Sequence, residues 1–116
     1  MENASLSQSE VSLLNEMVKV MVEVTAPEKI ILFGSRAVGT AKETSDYDFL
    51  VVTAEPFVKG YSRRKEVGRL GRALAKFRVP KDILLYSSDE VEQRRHWQNN
   101  VVFRALKEGT VLYEQG

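Results

Sequence analysis

Apolar residues at helical spacing open the chain. Between residues 11 and 22 they recur every three to four positions, at Val11, Leu14, Val18, Met21 and Val22. This spacing places the apolar side chains on one face of an α-helix. Residues 7–10 have the pattern of a helix capping box, and Pro27 is incompatible with a continued helix. The pattern therefore predicts a helix over about residues 8–25.

Three short apolar runs without helical spacing follow, and they predict buried β-strands. The runs cover residues 30–33, 47–53 and 82–86. A polar loop over residues 39–45 separates the first two runs. Gly34 interrupts the first run, and the next four residues predict one turn of helix over residues 35–38.

The second half of the chain predicts further helices and a last strand. An amphipathic, basic pattern indicates a long helix over about residues 60–77. Two more helices are expected, one beginning at residue 88 and one over about residues 99–107. Gly109 is expected to cap the last of them, and residues 110–113 to form a short terminal strand.

The order of these elements predicts the fold class. An α-β-α-β-α-β core followed by helices is typical of an α/β (α+β) domain in which helices flank a sheet. Gly34 and Ser35 follow the first strand, whereas Asp46 precedes the second, so the two strands must be antiparallel if these residues serve one site. Asp82 opens the third strand, which reaches the same site if it runs parallel to the second. We therefore predict a mixed sheet.

Composition narrows the class of protein. The chain has 116 residues, so a single domain over residues 1–116 is expected. It contains no cysteine, which excludes disulfides, thiolate metal sites and cysteine nucleophiles and fits a reducing compartment. The formal net charge of +1 does not indicate direct nucleic-acid binding. Because neither a membrane span nor a signal peptide is recognisable, we expect a cytoplasmic protein without a membrane partner.

Paired aspartates carry the candidate chemistry. Ten residues separate the Gly34-Ser35 pair from Asp46 and Asp48. Alternate residues of a strand share a face, so the two carboxylates point the same way, about 7 Å apart along the chain. Carboxylates this close repel each other, and a cation between them would relieve the repulsion. Oxygen-only ligation suits Mg²⁺ or Mn²⁺, with Asp82 as a third candidate ligand.

The residues before the aspartates are candidates for binding phosphate. Gly34 lets a ligand approach the backbone, and Ser35 offers a hydroxyl and a backbone N–H at the start of a helical turn. Arg36 can neutralise phosphate charge. Together with two metal ions this set suits transfer of a phosphoryl-type group, in which one ion activates a hydroxyl and the other stabilises leaving pyrophosphate. A Gly-Ser pair or an Asp-x-Asp motif alone is common without function, so the prediction depends on their combination.

At these residues the chain resembles the nucleotidyltransferase superfamily of the DNA polymerase beta type. More narrowly, it is similar to the minimal nucleotidyltransferases, the antitoxin partners of HEPN toxins. The similar segments are residues 31–39, 45–49, 82–84 and 108–114. One departure is Val38, at a position where the family often has arginine. This departure affects an auxiliary phosphate contact and leaves the metal site intact.

The resemblance implies an activity, cofactors and a partner. Ser35 and its neighbours would bind the nucleotide phosphates, Asp46 and Asp48 would bind two Mg²⁺ ions, and Asp82 would complete the site. The implied reaction moves AMP from ATP to a tyrosine of a HEPN ribonuclease toxin and so silences the toxin. Larger superfamily members carry a second helical domain for which this chain has no room. We therefore expect a homo-oligomer or another protein to supply the acceptor surface.

Three functions remain open at this point. The first is the enzyme just described, the second an antitoxin that neutralises its partner by binding alone, and the third a transferase acting on a small-molecule hydroxyl. The third ranks last because it would normally need an acceptor domain. The basic helix is either a solvated face or a surface whose residues 63–65 face the nucleotide or an acidic partner. Residues 94–97 either contact a partner or cover the helix packing.

Overall fold

The structure, a computed structural model that describes residues 6–115, contains one β-sheet with helices on both faces. The strands are β1 Lys29–Phe33, β2 Tyr47–Thr53, β3 Lys81–Ser87 and β4 Thr110–Glu114. The helices are α1 Gln8–Thr25, α2 Ser35–Val38, α3 Arg63–Leu74, α4 Ser88–Arg94 and α5 Val101–Glu108. This architecture confirms the predicted α/β fold class.

The sheet is mixed, and its strand directions are those that the candidate site requires. Its strands lie in the order β3-β2-β1-β4. Strand β1 is antiparallel to both β2 and β4, whereas β2 and β3 are parallel. Helix α3 forms the crossover between the two parallel strands. Consequently the end of β1 and the starts of β2 and β3 meet at one end of the sheet.

Two hydrophobic layers enclose the sheet. On one face α1 and α3 pack against the strands, with Leu14, Met17, Leu32, Phe49, Leu70 and Leu74 all fully buried. On the other face α4 and α5 cover Ile31, Leu50 and Val52. Burying a large apolar side chain contributes about 1.5–3 kcal/mol, so these layers hold the strands in register.

Among the described residues, no helix is both long enough and apolar enough to cross a membrane.

Helix α1 begins and ends as its sequence predicts. The hydroxyl of Ser7 accepts a hydrogen bond from the backbone N–H of Glu10, and the Glu10 side chain accepts one from the Ser7 N–H. This reciprocal pair confirms the capping box. At the other end Ala26 adopts a left-handed conformation (φ 46°) directly before Pro27.

Helix α3 is shorter at both ends than the predicted range of residues 60–77. Gly60 has a φ of 94°, which a right-handed helix does not allow. The hydroxyl of Ser62 then accepts a hydrogen bond from the Lys65 N–H and starts the helix there. At the far end the Phe77 N–H bonds three residues back to Leu74, which closes a turn instead of extending the α-helix.

Gly109 caps α5, but for a different reason from the one predicted. Its backbone is extended (φ −78°, ψ 166°) rather than left-handed. A Cβ built on it would overlap the carbonyl oxygen of Ala105 and the side chain of Ile31, and would lie 2.9 Å from the carbonyl oxygen of Leu32. The absence of a side chain therefore lets the junction of α5 and β4 pack directly on β1.

We expect Gly109→Ala to lower the free energy of unfolding by about 1–3 kcal/mol, because the new methyl group has no room. Gly71→Ala is the matched control. Gly71 lies inside α3 with open space where the Cβ would be, so alanine there is expected to add up to about 1 kcal/mol. Urea denaturation measures both changes. Equal stability of Gly109→Ala and the wild type would contradict this packing.

Candidate active site

Asp48 and Asp82 lie side by side at one end of the sheet. The strand register pairs Phe33 of β1 with Asp48 of β2, and Asp48 with Asp82 of β3. Residues in one such row point to the same face, which here is the face covered by α4 and α5. Asp46 comes two residues before Asp48. The fold thus brings together the three aspartates that the sequence singled out. It also places Phe33 in the same row, a position that no motif in the sequence indicates.

The three carboxylates form a local concentration of negative charge. Burial, followed by the negative charges of Asp82 and Asp46, raises the pKa of Asp48 above its usual value of 3.8. Asp48 is half-buried, whereas Asp46 and Asp82 are exposed. Within residues 6–115, no lysine or arginine forms an ion pair with any of the three. Their mutual repulsion is therefore not balanced by a cation of the described chain.

The carboxylate oxygens of the aspartates are suitable ligands for a hard divalent cation, but the aspartates do not form a closed cage. Across the described residues, no group of three or more acidic, histidine or cysteine side chains is arranged to hold a metal ion. Mg²⁺ seldom needs such a cage, since it usually binds one or two carboxylates together with water and substrate phosphates. The half-buried Asp48, whose charge is unbalanced, fits a cation that arrives with a phosphate ligand.

Gly34 allows the carboxylate of Asp48 to lie against the backbone at the start of α2. Its conformation (φ 76°, ψ −160°) belongs to a region that essentially only glycine adopts. A Cβ on Gly34 would overlap Oδ2 of Asp48 and would lie 3.3 Å from its Cγ. The glycine is therefore required by its backbone angles and by the space that Asp48 occupies. Ser35 follows directly, half-buried, as the first residue of α2.

Arg36 makes contacts that its sequence position does not reveal. Its guanidinium group donates hydrogen bonds to the carbonyl oxygens of Ser45 and Glu43 and to the carboxylate of Glu10. It also lies over the ring of Tyr47, 4.3 Å from the ring centroid. A phosphate contact by Arg36, which the sequence predicts, would have to compete with these four hydrogen bonds.

The structure bears on the two other segments whose interpretation was open, the start of α3 and residues 94–97. Arg63 forms an ion pair with Glu90 and stacks on Tyr86. Tyr86 is four residues along β3 from Asp82, about 13 Å away, so the position of Arg63 disfavours the suggestion that it faces the nucleotide. Trp97 is 57% exposed, which disfavours the suggestion that it covers the helix packing.

Fold and site define an α/β protein whose mixed sheet carries three neighbouring carboxylates beside a glycine bend. Residues 13–111 match the family model of the nucleotidyltransferase domain. The chain therefore belongs to the nucleotidyltransferase domain family, a class of transferases.

Solved structures share this fold at low sequence identity. A protein from Sulfolobus solfataricus is 21% identical over 90% of this chain and 80% of its own, with a TM-score of 0.62. A toxin–antitoxin structure with AMP-PNP is 21% identical over 87% of this chain and 73% of its own, with a TM-score of 0.52. A complex of a tri-AMPylated Shewanella oneidensis HEPN toxin with an MNT antitoxin is 18% identical over 90% of this chain and 73% of its own, with a TM-score of 0.51. At these identities the likeness establishes the fold alone. Among curated proteins, none matches the chain.

Proposed function

We propose that the chain transfers AMP from ATP to a tyrosine hydroxyl of a partner HEPN toxin, and that this modification makes it the antitoxin of that partner. The single observation that carries the proposal is the row formed by Asp48 and Asp82, with the Asp48 carboxylate against the Gly34 backbone. Membership of the nucleotidyltransferase family supports transfer of a nucleotide. The shared fold with a complex that contains an AMP-modified HEPN toxin supports the choice of acceptor.

We assign Ser35 and the backbone of Gly34 to the nucleotide phosphates. Gly34 has no side chain to block an approaching ligand, and Ser35 offers a hydroxyl and an N–H directly beside it. Because Asp48 lies against Gly34, phosphate oxygens at this bend would be next to the carboxylates. A cation would then be needed between the two sets of negative charge, which is why we expect the nucleotide and the metal to bind together.

Asp46, Asp48 and Asp82 would hold Mg²⁺, or Mn²⁺ in its place. When bound, the ions would lower the pKa of the acceptor hydroxyl and stabilise the leaving pyrophosphate. In the transfer the tyrosine oxygen bonds to the α-phosphorus of ATP while the bond from that phosphorus to pyrophosphate breaks. We assign the hydroxyl proton to the exposed carboxylate of Asp82, which lies on the same face as Asp48.

The acceptor surface would belong to the partner. Residues 6–115 form one sheet with its helices, and these described residues contain no second domain that could grip an acceptor. The exposed position of Asp46 and Asp82 leaves the carboxylates accessible to a tyrosine on another protein. A HEPN toxin bound at this end of the sheet would satisfy the requirement.

An antitoxin that acts by contact alone is the second candidate. It is favoured by exposed side chains that are not part of the aspartate site, namely Trp97 and the outer residues of α3 such as Arg64 and Lys65. Tryptophan and arginine are enriched where protein interfaces are tightest. Binding through these surfaces would not need the carboxylates.

A labelling experiment separates the two candidates. The chain is incubated with its co-purifying partner, Mg²⁺ and ATP labelled at the α-phosphate, and in parallel with ATP labelled at the γ-phosphate. We expect label on a partner tyrosine only from α-labelled ATP, and none when Asp46→Asn replaces the wild type. If the partner is neutralised without label from any nucleoside triphosphate, and Asp46→Asn neutralises it equally well, the contact mechanism is correct and the transfer mechanism is wrong.

A further inference from the structure

We infer that Arg36 is a positioning residue, which together with Glu10 and Tyr47 fixes the backbone next to Asp46, and that it is not a phosphate ligand. We call these three residues the Arg36 clamp. The inference rests on the proposed function in one respect, namely that Asp46 is a metal ligand. Nothing in the local motif around Gly34 and Ser35 suggests a role for Glu10, which lies in the first turn of α1.

The hydrogen bonds of Arg36 connect α1 with the loop before β2. Its Nε and one terminal nitrogen donate to the carbonyl oxygen of Ser45, at 3.2 and 2.9 Å. The same terminal nitrogen donates to the carbonyl oxygen of Glu43 at 3.1 Å, and the other donates to Glu10 Oε2 at 3.1 Å. The side chain is only 12% exposed. A buried guanidinium group needs hydrogen-bond acceptors, and Arg36 makes four hydrogen bonds with its five N–H donors.

Tyr47 completes the clamp from the other side of Asp46. Its ring stacks on the guanidinium group, and its hydroxyl donates to the same Glu10 Oε2 at 3.2 Å. A hydrogen bond from the Ser7 backbone, together with Tyr47 and the charge of Arg36, lowers the pKa of Glu10 although burial opposes the shift. Glu10 is therefore the charged partner that a buried arginine requires.

The clamp leaves Asp46 free while holding both of its neighbours. The Ser45 carbonyl is bound by Arg36, and the Ser45 hydroxyl accepts a hydrogen bond from the Lys42 N–H at 2.8 Å. Tyr47 is 3% exposed, and its N–H donates to the Pro80 carbonyl oxygen. The two anchored neighbours thus determine where the backbone of Asp46 lies and where its Cα–Cβ bond points. The exposed carboxylate itself makes no ion pair within residues 6–115.

The two possible roles of Arg36 predict opposite responses to conservative changes. Lysine keeps the positive charge that a phosphate needs, but it cannot reach two carbonyl oxygens and a carboxylate at once. Arg36→Lys should therefore fail to replace arginine in the clamp, yet it would largely replace a phosphate ligand. Glu10→Gln keeps the capping box, since glutamine also serves at that position, and removes only the charge that holds Arg36. If Arg36 belongs to a clamp, Glu10→Gln should weaken that clamp. If Arg36 is a phosphate ligand, Glu10→Gln should make it more available to bind phosphate.

Two measurements that do not depend on transfer activity test the inference. Mn²⁺ affinity is measured by titration in the presence of a non-hydrolysable ATP analogue, and nucleotide affinity is measured in EDTA. Amide hydrogen exchange reports on the N–H groups of Lys42 and Ser45. For Arg36→Lys and Glu10→Gln we expect Mn²⁺ affinity to fall by about 10–100-fold and exchange at both amides to rise. We expect nucleotide affinity in EDTA to stay within about twofold. Glu16→Gln, at an exposed position of α1, should change none of these values.

The inference is overturned if Arg36→Lys retains the wild-type Mn²⁺ affinity and amide exchange, or if Glu10→Gln strengthens nucleotide binding. Failure of the premise that Asp46 is a metal ligand looks different, because Asp46→Asn would then bind Mn²⁺ with the nucleotide as tightly as the wild type does. In that case the amide exchange of Lys42 and Ser45 decides alone whether Arg36 holds the loop. Since Glu10→Gln preserves the helix cap, it keeps the test decisive even if Arg36→Lys unfolds.

Discussion

Asp48→Asn is expected to abolish AMP transfer and, at the same time, to stabilise the folded protein. The carboxylate is half-buried and lies beside the negative charges of Asp82 and Asp46, which together with burial raise its pKa. Asparagine has nearly the same shape but no charge, so it removes the repulsion as well as the proposed metal ligand. We expect transfer to fall on the order of a thousandfold, equivalent to about 4 kcal/mol, while the melting temperature rises.

The stability difference should depend on pH with a defined sign. Because the pKa of Asp48 is raised in the folded state, the folded protein takes up a proton there more readily than the unfolded chain does. The unfavourable contribution of Asp48 is fully present above its folded pKa and disappears as the pH falls through that value. The advantage of Asp48→Asn should therefore be largest near neutral pH and shrink towards about pH 4. Melting curves measure it, and an advantage that does not change with pH would contradict this explanation.

Asp89→Asn serves as a matched control for Asp48→Asn. Asp89 is exposed in the first turn of α4, where a negative charge is favourable to the helix dipole. The same substitution there should slightly lower stability and leave transfer unchanged. Mg²⁺ with the nucleotide should raise the melting temperature of the wild type and of Asp89→Asn, but that of Asp48→Asn only weakly. A thermal shift of equal size in all three would remove Asp48 from the proposed site.

Gly34→Ala has the second large expected effect. Its backbone angles are essentially restricted to glycine, at a cost of about 1–3 kcal/mol for another residue. The added methyl group would in addition overlap the carboxylate of Asp48, and such overpacking costs about 1–3 kcal/mol. We therefore expect the free energy of unfolding to fall by about 2–6 kcal/mol and transfer to be lost, because Asp48 is displaced.

Gly60→Ala is the control that separates backbone strain from steric overlap. Gly60 also has a positive φ, but a Cβ there would meet nothing within 4 Å, so only strain is expected. A double-mutant cycle completes the test: in the Gly34→Ala background, Asp48→Ala should recover part of the lost stability, because it removes the atoms that collide. Strictly additive changes in the free energy of unfolding would show that Gly34 and Asp48 are not in contact.

Local patterns in the sequence were sufficient for most of the secondary structure. The strand over residues 47–53 and the helix over residues 8–25 have the predicted bounds, because apolar spacing, a capping box and a proline act within a few residues. The predicted start of α3 was wrong because Gly60 and Ser62 impose a turn that apolar spacing does not reveal. The predicted end was wrong because the Phe77 N–H closes a turn to Leu74. The directions of β1, β2 and β3 were predictable only from the assumption that the Gly34-Ser35 pair, Asp46 and Asp82 serve one site.

The sequence by itself thus determined which chemical groups the site can contain, because the glycine and the aspartates belong to short motifs around Gly34 and Asp46. Only the tertiary structure decided that Arg36 contacts Glu10 and that Gly109 lies where a side chain has no room. Arg36 and Glu10 are 26 residues apart. Segments far apart in the sequence become neighbours only when the sheet and its helices pack. The acceptors of a buried guanidinium group, and the backbone that a glycine contacts, therefore depend on the tertiary structure.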